Sequence, residues 1–292
     1  MRLFVTGGSG FIGSHFLHHA IAEGHDVVAL RRIGSRPRIP LEFEPNWIEG
    51  ELDADHALHF KGVDVFVHLA SHTANPPYAP LEACLYWNVY APIKLARQAV
   101  ASGVSRFLVA GSCFEYGAAS AGLPAVSPDT PLRPTLSYPT SKAAGSLAFE
   151  GFAREHKVQL KILRIFQVYG EGEQPSRLWP SLRRAALAGE DFPMSPGGQL
   201  RDFVDVTSVA SQFVEHLDFS VEANGEPTVH HVASGHARTL LEFAEYWWTY
   251  WGARGRLLPG AYPYRPHELM RLASNLESIR RQPAVKQSTR SE

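Results

Sequence analysis

Hydrophobic and polar positions follow two rhythms along this chain. Residues 2–6, 26–30, 63–70, 106–110 and 158–165 are short, near-continuous apolar runs. Such runs suit strands covered on both faces of a parallel sheet. Between them, residues 14–22 and 81–101 place apolar side chains at helical spacing, and a further helix is expected from Tyr138. Trp47-Ile48-Glu49-Gly50 adds a short strand of its own. Strand and helix in alternation predict an α/β chain built on a doubly wound parallel sheet with right-handed crossovers. Past residue 166 the alternation lapses. Residues 170–200 are rich in Gly, Pro and charge around one short helix near 180–188. Strands near 203–206 and 229–232 and a helix over 240–251 follow, and this half reads as a smaller α/β cap.

The first strand breaks into Gly7-Gly8-Ser9-Gly10-Phe11-Ile12-Gly13 before the first helix begins. Strand, glycine turn and helix are the setting in which G-x-G-x-x-G (Gly8, Gly10, Gly13) binds a dinucleotide. Glycine permits the tight turn and lets backbone approach a pyrophosphate, to which the helix start offers unpaired N–H groups. Gly7, Gly10, Phe11, Ile12 and Gly13 are therefore cofactor-binding candidates. In such Rossmann-type sheets, ligands gather beyond the carboxyl ends of the strands. Those ends hold Arg31, Arg32 and Arg36 after the second strand, Glu51 and Leu52 after the third, Leu69, Ala70 and Ser71 after the fourth, and Ser112 after the fifth. A carboxylate after the second strand would hold a ribose 2′-hydroxyl, whereas guanidinium groups match a 2′-phosphate. NADP(H) is the expected cofactor, with NAD(H) the alternative. The expected division is a dinucleotide-binding domain over residues 1–166, rejoined by 201–217, and a substrate-binding domain over 167–292.

Composition adds limits. The 292 residues are 45% hydrophobic and 20% charged, which supplies ample core. A net charge of -1 without a Lys/Arg block argues against a nucleic-acid partner. No apolar run approaches a membrane span, and Cys84 and Cys113 lie apart without metal-ligand spacing. His230-His231 has no carboxylate at ligand spacing, so no metal is assigned. A cytoplasmic setting is expected, with no nucleic-acid or membrane partner.

Tyr138-Pro139-Thr140-Ser141-Lys142 sets a phenol and an ammonium one helical turn apart on one face. A nearby positive charge lowers a phenol's pKa, which suits proton exchange near neutrality. Ser112, at the end of the preceding strand, can direct a hydroxyl at the same substrate oxygen. Ser112, Tyr138 and Lys142 are the catalytic candidates for reduction of a carbonyl by a nicotinamide hydride.

These segments resemble the extended short-chain dehydrogenase/reductases, in the nucleotide-sugar epimerase/dehydratase branch. Thr6 to Gly13 is similar to the family's T-G-G-x-G-F-I-G turn. Val67-His68-Leu69-Ala70-Ser71 resembles its strand-end cofactor contact, and Asn88 falls at its helical asparagine. Gly111-Ser112-Cys113-Phe114-Glu115-Tyr116-Gly117 resembles S-S-x-x-x-Y-G, whose catalytic hydroxyl falls on Ser112. Arg164-Ile165-Phe166-Gln167-Val168-Tyr169-Gly170 resembles R-x-F-N-x-Y-G. Arg201-Asp202-Phe203-Val204 and Arg265-Pro266-His267-Glu268 resemble two segments whose arginines grip the substrate diphosphate. The resemblance implies that Asn88, Phe166, Tyr138 and Lys142 join the cofactor contacts. It also implies that Gln167, Arg201 and Arg265 contact substrate, with His72 and Thr73 placed for sugar hydroxyls. It implies a homodimer through the helix from Tyr138 and residues 81–101.

Departures from the pattern narrow the chemistry. Sugar 4,6-dehydratases of the family carry Asp-Glu after the catalytic hydroxyl, where this chain has Cys113-Phe114, so dehydration is not expected. The 3,5-epimerase/4-reductases use a cysteine at the position of Phe114 and a histidine at that of Arg177. Hydride chemistry at a sugar C4 remains. The expected activity is an NADP(H)-dependent reductase of a 4-keto-6-deoxy sugar nucleotide. The alternatives are an NAD-dependent 4-epimerase and a non-catalytic NADP(H)-binding sensor.

Overall fold

A computed structural model describes residues 1–266 and 268–275; His267 of the Arg265–Glu268 stretch lies outside them. The chain runs β1 (Arg2–Thr6), α1 (Phe11–Ala22), β2 (Asp26–Arg31), β3 (Asn46–Glu49) and β4 (Val65–His68). The helix expected over 81–101 is interrupted. It consists of α2 (Leu81–Leu85), a π-helical turn at Tyr86–Tyr90, and α3 (Ala91–Ala101). Next come β5 (Arg106–Ser112), α4 (Ser137–His156), β6 (Gln159–Ile165), β7 (Gln167–Tyr169) and α5 (Leu178–Ala188). β8 (Phe192–Met194), β9 (Leu200–Asp205), α6 (Val206–Glu215), β10 (Thr228–Val232) and β11 (Ala237–Thr239) follow. α7 (Leu240–Tyr250), β12 (Leu257–Pro259) and β13 (Arg271–Leu272) complete the order.

Seven strands form one parallel sheet in the order β10-β6-β5-β4-β1-β2-β3. Its strands are apolar on both faces because both are covered. Leu3 and Val5 of β1 join Phe16, Leu17, Val209 and Phe213 in one layer, while Phe4 joins Phe60, Phe66, Leu95, Phe107 and Phe149 in the other. This alternation is the period-two geometry of a strand. α6 packs over α1, with Phe16 and Phe213 edge to face at 6.3 Å. β10 pairs with β6 from Thr228↔Lys161 to Val232↔Ile165. The large sheet therefore recruits residues 228–232 from the half expected to bind substrate, in addition to the helix near 206–215.

The smaller sheet is centred on β9, which pairs with β7, β11 and β13; β8 and β12 form a separate pair. α5 and α7 cover a second core of Leu182, Ala185, Met194, Ala244 and Trp248. α7 starts on a capping box, Thr239 with Glu242, and α6 on Asp205, whose carboxylate accepts the Thr207 N–H at 2.8 Å. No helix among the described residues is long and apolar enough to cross a membrane.

Candidate active site

β1 and β4 are neighbours, yet the chain leaves them in opposite directions across the sheet. Their carboxyl ends open on the crevice that such a switch creates, here a cleft of about 1400 Å³. Gly7 turns the chain out of β1 with φ +76°, and a Cβ on it would stand 2.4 Å from the Ala70 nitrogen. Gly13 backs onto the same turn, where a Cβ would meet the Gly7 carbonyl oxygen at 2.0 Å. Close backbone approach thus dictates glycine at both positions. Gly10 begins α1 without a side-chain cap, and Phe11, Ile12 and Gly13 of its first turn lie on the cleft wall. Helix-start N–H groups without an intrahelical acceptor fit a dinucleotide pyrophosphate.

Arg31, Arg32, Arg36, Glu51, Leu52, Leu69, Ala70, Ser71, His72, Thr73, Phe166 and Gln167 also line the cleft. Arg31 is partly committed elsewhere. Its Nη2 lies 3.0 Å from Glu49, and its guanidinium sits 4.8 Å from the centre of the Trp47 ring. Arg32 and Arg36 are exposed.

Ser112, Tyr138 and Lys142 meet on the same cleft, Ser112 from the end of β5 and the other two from the start of α4. Tyr138 is buried, and Ser71 and Ser112 share its stretch of the cleft wall and act on its phenol. Burial pushes this phenol well above its usual range, against the pull of those two serines; Tyr78 and Glu115 push it further. Lys142 Nζ donates to the Ala110 carbonyl at 2.6 Å, and burial lowers its pKa against the opposing effect of Glu115. The expectation that the ammonium holds the phenol low is therefore corrected: desolvation sets the direction here. Cys113 is buried and its thiol is pushed up by desolvation, which leaves it neutral and unsuited to act as a base.

Three expected contacts lie off the cleft wall. Asn88 is buried behind it, accepting the His72 N–H at 2.7 Å and donating to Ser141 Oγ at 2.9 Å. It props the 71–72 turn instead of lining the cleft, from within the π-helical turn. Arg201 is buried and paired with Glu268 at 2.9 Å. Arg265 is exposed on the chain between β12 and β13. Tyr78, absent from the candidates, has its ring centre 5.3 Å from that of Tyr138. Burial raises its pKa, and Arg177 and Arg265 pull against this, so these cations stand near the Tyr138 end of the site. Glu173 is a second omission. It lines the cleft with a side chain 6% exposed, 3.4 Å from Arg177, and burial pushes its pKa up to about 7. Both residues lie before α5, so no helical spacing marked the pair in the sequence. Glu115 is a third, and Ser112-x-x-Glu115 is a readable capping box.

Two buried histidines give the fold a pH dependence. Burial, with Lys142 nearby, pushes His68 down to about 3; burial, Arg164 and His230 do the same to His231. Both bind a proton in the unfolded chain near the ordinary 6.5, so between about 3 and 6.5 the unfolded state holds more protons. Their contribution is complete above that window and is lost as pH falls through it. Glu173, raised to about 7, opposes the two histidines with a single proton between about 4.5 and 7, so thermal melts should still decline below about pH 6, less steeply in His231→Gln. A melting temperature that rises on acidification would contradict this.

A glycine turn at the switch point, opposite a Ser-Tyr-Lys set, defines a protein of the short-chain dehydrogenase/reductase class. Residues 3–229 match the NAD dependent epimerase/dehydratase family, and the chain belongs to it. The chain is 25% identical over 266 residues to a UDP-glucose 4-epimerase of Corynebacterium glutamicum, covering 84% of this chain and 79% of the relative. Among solved structures it resembles MoeE5 in complex with UDP-glucose and NAD (30% identity, TM-score 0.79, 94% of this chain and 89% of that one). It also resembles TunA, an NAD dependent NDP-hexosamine 5,6-dehydratase involved in tunicamycin biosynthesis (27% identity, TM-score 0.81, 97% and 91%).

Proposed function

We propose that this chain is an NADP(H)-dependent reductase of a nucleotide-activated 4-keto-6-deoxy sugar, with Ser112, Tyr138 and Lys142 as its catalytic groups. The observation that carries the proposal is the Tyr138 phenol beside Ser112 on a cleft shared with the glycine turn. Cys113 and Phe114 beside it supply no acid–base pair for loss of water. A nicotinamide dinucleotide bound along the glycine turn would supply the hydride. Tyr138 holds the proton that the sugar oxygen takes up, Ser112 offers that oxygen a second hydrogen bond, and Lys142 keeps a positive charge behind them. Arg32 and Arg36, with Arg31, would hold a 2′-phosphate; Phe166 and Asn88 would support the nicotinamide side. Gln167, His72 and Thr73 would meet the sugar, and Arg201 and Arg265 its diphosphate. A cytoplasmic homodimer pairing α2–α4 across a two-fold axis is part of the proposal, as is a substrate-binding unit drawn mostly from residues 167–292. Leu147 and Tyr90 on those helices are exposed.

A 4-keto-6-deoxy sugar nucleotide should be consumed together with NADPH, read as loss of reduced-coenzyme absorbance. In Arg32→Ala/Arg36→Ala the KM for NADPH should rise by about tenfold to a hundredfold, with that for NADH little changed. Equal use of both coenzymes by the parent chain would defeat the NADP(H) part. An NAD-dependent 4-epimerase is the second reading. It is favoured by the UDP-glucose 4-epimerases among the relatives and by the engagement of Arg31 with Glu49. Copurifying NAD and interconversion of 4-epimers, without net NADPH oxidation, would decide for it.

A further inference from the structure

Beneath Ser112 lies a buried polar chain that does not reach the cleft. The Glu115 side chain is wholly buried. Its Oε1 accepts the Ser112 N–H at 2.7 Å, and its Oε2 accepts from Ser146 Oγ and from Arg164 Nε, each at 2.9 Å. Ser146 stands one helical turn past Lys142 on α4. One carboxylate therefore grips both elements that carry the candidate catalytic groups: the end of β5 and the start of α4. Arg164 extends the chain through its Nη1, which donates to Tyr116 Oη and to the Pro128 carbonyl at 2.9 Å each. Tyr116 Oη is 2.5 Å from His231 Nε2, and His231 Nδ1 is 2.9 Å from Ser274 Oγ.

A buried ion pair contributes little net stability beside apolar packing of the same volume. It does fix direction, because a carboxylate and a guanidinium accept and donate only along set lines. Burial pushes the Glu115 carboxyl up, while Arg164, Lys142 and the hydrogen bonds from Ser112 and Ser146 pull against it. Every group that meets the Glu115 oxygens here is a donor: the Ser112 N–H, the Ser146 hydroxyl and the Arg164 guanidinium. Around Lys142 the titratable groups are His68 from β4, Glu115 from the turn after β5, and Tyr138 on α4 itself. Burial holds His68 low and Tyr138 high, and Glu115 is the acidic side chain of this group.

We propose that Glu115 is a positioning residue of the active site, tying the strand end of Ser112 to the helix of Tyr138 and Lys142. This role rests on the catalytic reading above.

The test uses the full chain as Glu115→Gln, Ser146→Ala and the paired Glu115→Leu/Arg164→Met. One arm measures kcat and KM on a nucleotide sugar that the parent chain turns over. The other follows the Lys142 titration by NMR of lysine ε-carbons and needs no substrate. In Glu115→Gln, kcat should fall on the order of a hundredfold with KM unchanged, and the Lys142 midpoint should drop. Ser146→Ala should lose about tenfold in kcat. The paired variant should melt near the parent temperature yet keep the low kcat, whereas a merely structural role would restore both. It replaces Glu115→Gln in both arms if that variant does not fold. Parent-like kcat, or an unmoved Lys142 midpoint, would overturn the proposal. If the parent chain turns over no nucleotide sugar, the catalytic reading falls and the lysine titration alone decides.

Discussion

Tyr138→Phe is expected to lower turnover by about 10²–10⁴-fold while leaving the Kd for coenzyme within error. The substitution removes one oxygen from a buried ring and little else. The Phe ring keeps its packing, including the neighbour Tyr78 at 5.3 Å. The Ser71 and Ser112 hydroxyls that faced the phenol can turn to each other or to water on the open side of the cleft. Coenzyme contacts of the glycine turn come from a different strand and helix, so binding and turnover should separate. Burial holds the phenol high, so it keeps its proton at neutral pH. The checks are single-turnover kinetics and coenzyme fluorescence titration on the same preparation. Full turnover by Tyr138→Phe would remove the phenol from the chemistry.

Gly13→Ala should be among the more damaging single methyl groups in the chain. Its Cβ would fall 2.0 Å from the Gly7 carbonyl oxygen, 2.7 Å from the Gly7 carbonyl carbon and 2.9 Å from the Gly8 Cα. All three are backbone atoms of the turn, so no side chain can step aside. The helix must lift from the strand or the turn must open, and either removes the surface on which a pyrophosphate would rest. Overpacking of this kind costs about 1–3 kcal/mol and sometimes more. Gly151→Ala is the control. It sits exposed in α4 with nothing within 4 Å of its Cβ, and should be neutral or stabilising by about 0.5–1 kcal/mol. Thermal melts with and without NADPH should show Gly13→Ala destabilised and no longer protected by coenzyme. Parent-like protection in that variant would show that the turn is not the binding surface.

Local features were legible in the sequence, and features set by distant packing were not. The glycine turn announced itself because strand, glycines and helix are contiguous, and the Tyr138–Lys142 spacing because one helical turn fixes it. The direction of the Tyr138 pKa did not follow from that spacing. It depends on how completely Tyr78, Ser71 and the strand ends exclude water, which no pair of residues reveals. Asn88 stands as a cofactor contact by resemblance alone, and the π-helical turn that buries it against His72 and Ser141 has no simple periodic signature. Residues 228–232, Thr-Val-His-His-Val, carry no clear alternation that would say which sheet they join, and the structure seats them on the edge of β6. Glu115 was different. Its capping-box spacing from Ser112 was plain, but its ties to Arg164 and Ser146 span 49 and 31 residues.

The pairing of β10 with β6 also bears on synthesis. As the chain leaves the ribosome, its first 166 residues can assemble six parallel strands, but one border of that assembly stays open until residue 232 has emerged. An uncovered parallel border invites pairing with other nascent chains. A gene cut after residue 166 would make that exposure permanent, because the chain of the cap crosses back into the large sheet at β10 before it completes the smaller sheet with β11 and β13.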